Sequence, residues 1–180
     1  MNTSDKLNLA TIWLSGCAGC HMSFLDQDEL LIDIAKKVRL VYSPLVDVKE
    51  LPDDVDITLV EGAVGNEEQL AMIKRVRAST GVLIAMGDCA VTGNIPALRN
   101  AWNDSDEAVL RRAYIELVDV NPQIPTEVPG LLTMAHPLHE VVKVDYFIPG
   151  CPPPASLINY VITELLAGRE PDMEGRSKYG

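Results

Sequence analysis

The sequence predicts an α/β chain built on an open parallel sheet with helices on both faces. Three observations carry that prediction. Apolar runs of strand length alternate with longer stretches of helical periodicity. The runs are apolar enough to be buried on both sides, as strands covered by helices are. Each run stops at a glycine or a proline, and cysteines follow three of those stops.

The first strand spans Leu7–Ser15, with Leu9, Ala10, Ile12, Trp13 and Leu14 closed off by Gly16. A helix is expected from His21 to about Lys37, on the spacing of Met22, Leu25, Leu30, Leu31, Ile34, Ala35 and Val38. Its acidic Asp26, Asp28 and Glu29 precede its basic Lys36 and Lys37, in the sense that suits the helix dipole. Val38–Tyr42 is a second strand, stopped by Pro44. Asp56–Glu61 is a third, ending in Gly62, and Asn66 caps a helix that carries Leu70, Met72, Ile73 and Val76 to Ser79. Gly81–Met86 is a fourth strand, followed by Gly87-Asp88-Cys89. A polar helix is expected over Asp106–Val118, then an irregular proline-rich stretch over Asn121–Gly130. Val144–Ile148 is the fifth strand, ended by Pro149-Gly150-Cys151, and Pro154 starts a last helix running to Ala167. The 180 residues are read as one domain, 1–180, with a loose tail from Gly168.

Composition narrows the function. A net charge of −11 argues against a nucleic-acid partner, since phosphate binding needs a basic field. Lys74, Arg75 and Arg77 form one small basic run behind Glu67 and Glu68, which reads as a solvated helix face. No apolar run approaches the roughly 20 residues that span a bilayer. The N-terminal "MNTSDKLNLATIWL" has neither a basic leader with an apolar core nor a twin arginine, so a cytoplasmic location is expected. In a reducing compartment four cysteines read as metal ligands or redox thiols before disulfides.

Those cysteines follow the pattern C-x2-C-x68-C-x61-C, at Cys17, Cys20, Cys89 and Cys151, each within two residues of a glycine. All fall in loops at the carboxyl edge of the sheet, where open parallel sheets bind ligands. Four thiolates suit a [4Fe–4S] cluster or an all-cysteine zinc site. Structural zinc usually takes two close knuckles and only one exists here, whereas a cluster accepts three separate loops. Pro152 after Cys151 also matches the Cys-Pro ending of ferredoxin cluster motifs. A thioredoxin-like dithiol would leave Cys89 and Cys151 unexplained. Gly16 and Gly19 are read as letting the backbone turn and aim N–H groups at sulfur.

Four ordered motifs, "SGCAGCHMSFLDQDE", "VEGAV", "GDCAVTGN" and "PGCPPP", resemble the small subunit of [NiFe] hydrogenases, most of all the short one of the soluble, bidirectional NAD-reducing type. The resemblance runs from about Leu9 to Gly168. It implies a flavodoxin-like fold and one proximal [4Fe–4S] cluster on Cys17, Cys20, Cys89 and Cys151. It also implies a large subunit carrying the Ni–Fe centre, and a diaphorase carrying flavin, further clusters and the NAD site. The twin-arginine leader and second cluster domain of the periplasmic type are missing from this sequence. The usual Gly-Gly after the third cysteine is here Gly93-Asn94. The related iron–sulfur subunit of respiratory complex I, the alternative reading as part of a quinone or ferredoxin oxidoreductase, has adjacent first cysteines where these are spaced.

Glu61 ends an apolar strand beside the expected cluster, so its carboxylate is a candidate proton relay, with ordinary loop hydrogen bonding as the alternative. His21 is read chiefly as a helix-start residue, His136 and His139 as surface or interface residues, and Trp13 and Trp102 as core or subunit contacts. FMN on this chain is the minority expectation, because the loop that cradles its phosphate in flavodoxins is occupied by Cys17 and Cys20. The absence of G-x-G-x-x-G and G-x-x-x-x-G-K argues against NAD or ATP here. The loops Ala90–Trp102 and Gly130–His139, rich in Ala, Leu, Pro and Met, are the expected partner contacts.

Overall fold

In a computed structural model of the chain, residues 6–176 and Tyr179 are described. The first five residues of the N-terminal stretch, and 177, 178 and 180 of the expected tail, lie outside them. Five strands form one parallel sheet: β1 (Leu7–Trp13), β2 (Val38–Tyr42), β3 (Val55–Glu61), β5 (Thr80–Met86) and β7 (Tyr146–Ile148), in the order β2-β1-β3-β5-β7. The chain steps outward from β1 to β2 and then crosses to β3, so the switch in direction falls between β1 and β3, as in flavodoxin-like sheets.

Side-chain alternation divides the core in two. Leu9, Ile57, Leu59, Ile84, Met86 and Ile148 point to one face, under α1 (Gly19–Leu25), α2 (Leu30–Lys37) and α6 (Ala155–Leu166). Ala10, Ile12, Val60, Leu83 and Ala85 point to the other, under α3 (Glu67–Ser79) and α4 (Asp88–Thr92). Both faces are sealed, which accounts for strands that read as continuous apolar runs. One row of paired residues crosses the sheet at its carboxyl end: Trp13 opposite Glu61, Glu61 opposite Met86, Met86 opposite Ile148. Four strands therefore stop at one level.

The expected helix over His21–Lys37 is two. Asp28 takes a positive φ of 50° and the chain turns over Asp26–Glu29, leaving α1 and α2 separate. The continuous apolar spacing concealed that break, because both pieces bury side chains against the same layer. Asn66 caps α3 as expected, its side chain accepting from the Gln69 N–H at 2.8 Å. Leu131–His136, expected to be a loop, is a strand (β6) antiparallel to β4 (Val64–Asn66). The polar helix begins as α5 at Ser105–Arg111 and widens into a π-helical turn over Arg112–Glu116, two residues short of the expected end. Ala90–Trp102 is largely helical too, α4 being followed by a 3₁₀ segment at Ile95–Ala101. Met173 packs against the α6 layer and Arg176 lies over the Tyr160 ring at 4.4 Å. Trp13 and Trp102 are exposed, so neither belongs to the core.

Ile158 is fully buried between α6 and the sheet. Ile158→Ala should cost about 2–5 kcal/mol of unfolding free energy in urea titrations, from lost transfer energy and an unfilled cavity. A cost below about 1 kcal/mol would mean that the α6 layer does not seal this face.

Candidate functional site

The level strand ends deliver the cysteines. Cys17 and Cys20 follow β1, Cys89 lies in α4 after β5, and Cys151 follows β7. Cys20 is buried, Cys89 half-buried, and Cys17 and Cys151 are exposed. Cys17, Cys89 and Cys151 all lie within electrostatic reach of Cys20. Burial pushes the Cys20 thiol well above its ordinary value of 9.0, and the charges of Glu61, Cys89, Cys17 and Cys151 push the same way. Cys89 is raised by burial and by Cys151, against the Ile95 N–H that its sulfur accepts, with smaller contributions from Cys17 and Glu61.

The turns are shaped by different residues from those the sequence suggested. In the first turn Ala18, not Gly16 or Gly19, takes the left-handed conformation, at φ 67°. Two glycines of the site have no room for a side chain: at Gly87, φ 86°, a Cβ would overlap the Cys20 sulfur, and at Gly150, φ 137°, it would overlap the Pro153 backbone. The β5 turn can close over Cys20 only because Gly87 has no side chain.

Hydrogen bonds then tie the loops together. The Asp88 N–H donates to the Gly150 carbonyl at 2.9 Å, and the Gly150 N–H donates to Asp88 Oδ1 at 2.6 Å, joining the neighbours of Cys89 and Cys151. Ser23 Oγ donates to the Pro153 carbonyl at 2.5 Å, joining α1 to the Cys151 loop. Asn94 Nδ2 donates to Cys151 Sγ at 3.5 Å. Sequence reasoning gave Asp88, Ser23 and Asn94 no role: Asp88 and Ser23 were signalled only by flanking the cysteine motifs, and Asn94 only by standing where the resembled family usually has a second glycine.

Glu61 and His21, flagged separately in the sequence, form a buried pair. Glu61 Oε2 accepts the His21 backbone N–H at 2.8 Å and lies 2.5 Å from His21 Nδ1. Among the described residues, His21 Nε2 is buried without a hydrogen-bond partner. His136 Nδ1 lies 2.7 Å from Glu140 Oε2, and His139 packs edge-on to Phe147.

Among the described residues, no three His, Cys, Asp or Glu side chains gather closely enough for a single metal ion. Cys17, Cys20, Cys89 and Cys151 bring four thiols, as one donor set, beyond the ends of three strands. That donor set could hold a multi-iron group, in which several metal atoms separate the ligands. No helix among the described residues is long and apolar enough to cross a membrane.

The model of the family described as "NADH ubiquinone oxidoreductase, 20 Kd subunit" matches residues 17–165. The delta subunit of the NAD-reducing hydrogenase HoxS of Cupriavidus necator is 40% identical over 96% of this chain and 84% of its own length. An iron-sulfur subunit of the F420-non-reducing hydrogenase of Archaeoglobus profundus is 31% identical over 92% of this chain, which spans 57% of that protein. A chain in the crystal structure of NAD+-reducing [NiFe]-hydrogenase in the H2-reduced state superposes with a TM-score of 0.92 at 39% identity, covering 97% of this chain and 99% of that one.

The raised Cys20 value sets a pH dependence for the metal-free chain. A thiol held protonated by the fold and free to ionise when unfolded stabilises the fold fully below its unfolded value. Stability in urea should therefore fall as pH rises above 9.0 towards the folded value. Cys20→Ser, which does not ionise in that range, should flatten the fall; equal slopes for both proteins would contradict it.

Proposed function

The chain belongs to the family of the NADH ubiquinone oxidoreductase 20-kDa subunit, in the branch that holds hydrogenase small subunits, and from that premise we propose a specific assignment. It is the electron-transfer small subunit of a cytoplasmic NAD-reducing [NiFe] hydrogenase. Cys17, Cys20, Cys89 and Cys151 hold one [4Fe–4S] cluster. The large subunit carries the Ni–Fe centre, and a diaphorase module carries flavin, further clusters and the NAD site. The observation that carries this reading is the single level at which β1, β5 and β7 deliver four coupled thiols.

When bound, such a cluster accepts and returns electrons one at a time. The residues around it supply the rest. Burial of Cys20 and Cys89 excludes water from the inner side, and the Ile95 and Asn94 N–H groups direct dipoles at two ligand sulfurs. Cys17 and Cys151 face outward, towards the side where an electron donor has to dock.

The flanking surface suits such a partner. Ile95, Leu98, Trp102 and Met134 are exposed large apolar side chains, 47–68% accessible. Arg99 anchors this surface by donating to the Gly65, Leu132 and Thr133 carbonyls, and Asn100 exchanges two hydrogen bonds with Ala135. The contact is therefore preorganised before any partner arrives.

Each of the four cysteines replaced by Ala in turn should lower iron and sulfide well below four per chain after anaerobic purification, with the secondary structure retained. Full iron and sulfide in all four variants would sink the assignment. Co-purification of a nickel-containing chain separates the hydrogenase reading from the complex-I-like one, and the isolated subunit should neither consume nor evolve hydrogen.

Glu61 holds a proton between its Oε2 and His21 Nδ1 at the buried edge of the site. Glu61→Gln keeps the shape but cannot ionise. In the assembled enzyme it should slow hydrogen turnover by about tenfold or more with iron content unchanged. Wild-type turnover across pH would return Glu61 to a loop-anchoring role.

A further inference from the structure

Asn94 stands where the turn after α4 demands a backbone that L side chains rarely adopt. Its φ of 32° with ψ of −125° lies in a region that glycine occupies freely and asparagine only at a cost. Glycine precedes it at position 93, itself at φ 86°, so this is a tight double bend with one side chain in it. A non-glycine residue persists in such a conformation when the surroundings hold it there, and these places cluster at functional sites. The side chain retained there donates through Nδ2 to Cys151 Sγ at 3.5 Å. Cys151, exposed like Cys17, follows the end of β7, and no other side-chain hydrogen bond to its sulfur is seen among the described residues.

We propose that Asn94 is a positioning and tuning residue: its amide N–H raises the reduction potential of the cluster by hydrogen bonding to the Cys151 sulfur. The inference rests on the cluster reading above and deepens it. Reduction adds one electron to the iron–sulfur core without making or breaking a bond, so the ligand sulfurs become more negative. A donor aimed at one of them stabilises the reduced state more than the oxidised one. Asn94 contributes the dipole without adding a charge, and its place in the bend keeps the amide from swinging away.

The test is a redox titration, followed by electron paramagnetic resonance, of the full-length chain with its cluster loaded, as wild type, N94G and N94D. Glycine suits the backbone and lacks the donor. N94G should therefore load iron and sulfide as wild type does, unfold at an equal or higher temperature, and titrate at a more negative potential. N94D replaces the donor by a carboxylate and should move the potential further the same way. Equal potentials for wild type and N94G would overturn the proposal. So would loss of iron from N94G, which would assign Asn94 to assembly instead. A wild-type chain that holds no iron and sulfide under the same loading would overturn the cluster reading itself, an outcome distinct from either.

Discussion

The row Trp13–Glu61–Met86–Ile148, where four parallel strands end side by side, is the constraint from which the rest of the molecule follows. A slip of one residue in any strand would send its core side chains to the opposite face. With Leu59, Val60, Ile84 and Ala85 all fully buried on one face or the other, such a slip would exchange side chains of different size between two packed layers. The register that seals the core thus also sets how far Cys17, Cys89 and Cys151 stand beyond the sheet. Site geometry is a by-product of hydrophobic packing on both sides of the strands.

Local bonds refine what the register delivers. The Asp88–Gly150 exchange extends the β5–β7 pairing into the loops, and Ser23 brings α1 onto the segment after Cys151. Gly87 permits the closest approach, that of the β5 turn to the Cys20 sulfur. The outcome is a half-buried group of thiols in which ionisation of Cys20 and Cys89 is disfavoured by burial and by the charges of their neighbours. Such a group favours a bound species that supplies positive charge to several sulfurs at once.

The second, smaller layer serves a different end. The β4–β6 pair, Arg99 and Asn100 together fix a 3₁₀ segment whose apolar side chains point outward. Polar bonds hold the inner side of this element and leave the outer side unsatisfied, the reverse of what a free surface does. Two roles are thereby separated: the parallel sheet holds the fold together, and this appendage presents exposed apolar side chains.

Much of this could be read from residue order. Apolar runs ended by Gly16, Pro44, Gly62, Gly87 and Pro149 located all five strands of the sheet, since a strand buried on both faces has to be apolar throughout and has to stop where the backbone turns. The helix break at Asp28 and the β4–β6 pair were not readable. Two helices buried against one layer keep a single apolar rhythm, and the pairing of three residues with a distant segment leaves no local pattern. Residue order alone settled which atoms are available: four thiols, each within two residues of a glycine, at the ends of predicted strands, with a carboxylate and an imidazole nearby. How they meet was left to the folded arrangement. It paired Glu61 with His21 across 40 positions, set Asn94 against Cys151 across 57, and made Gly87 and Gly150, rather than Gly16 or Gly19, the positions where a side chain cannot fit. Spacing along a chain limits reach, but distance across a sheet is set by strand order and register, and these depend on the packing of the whole core.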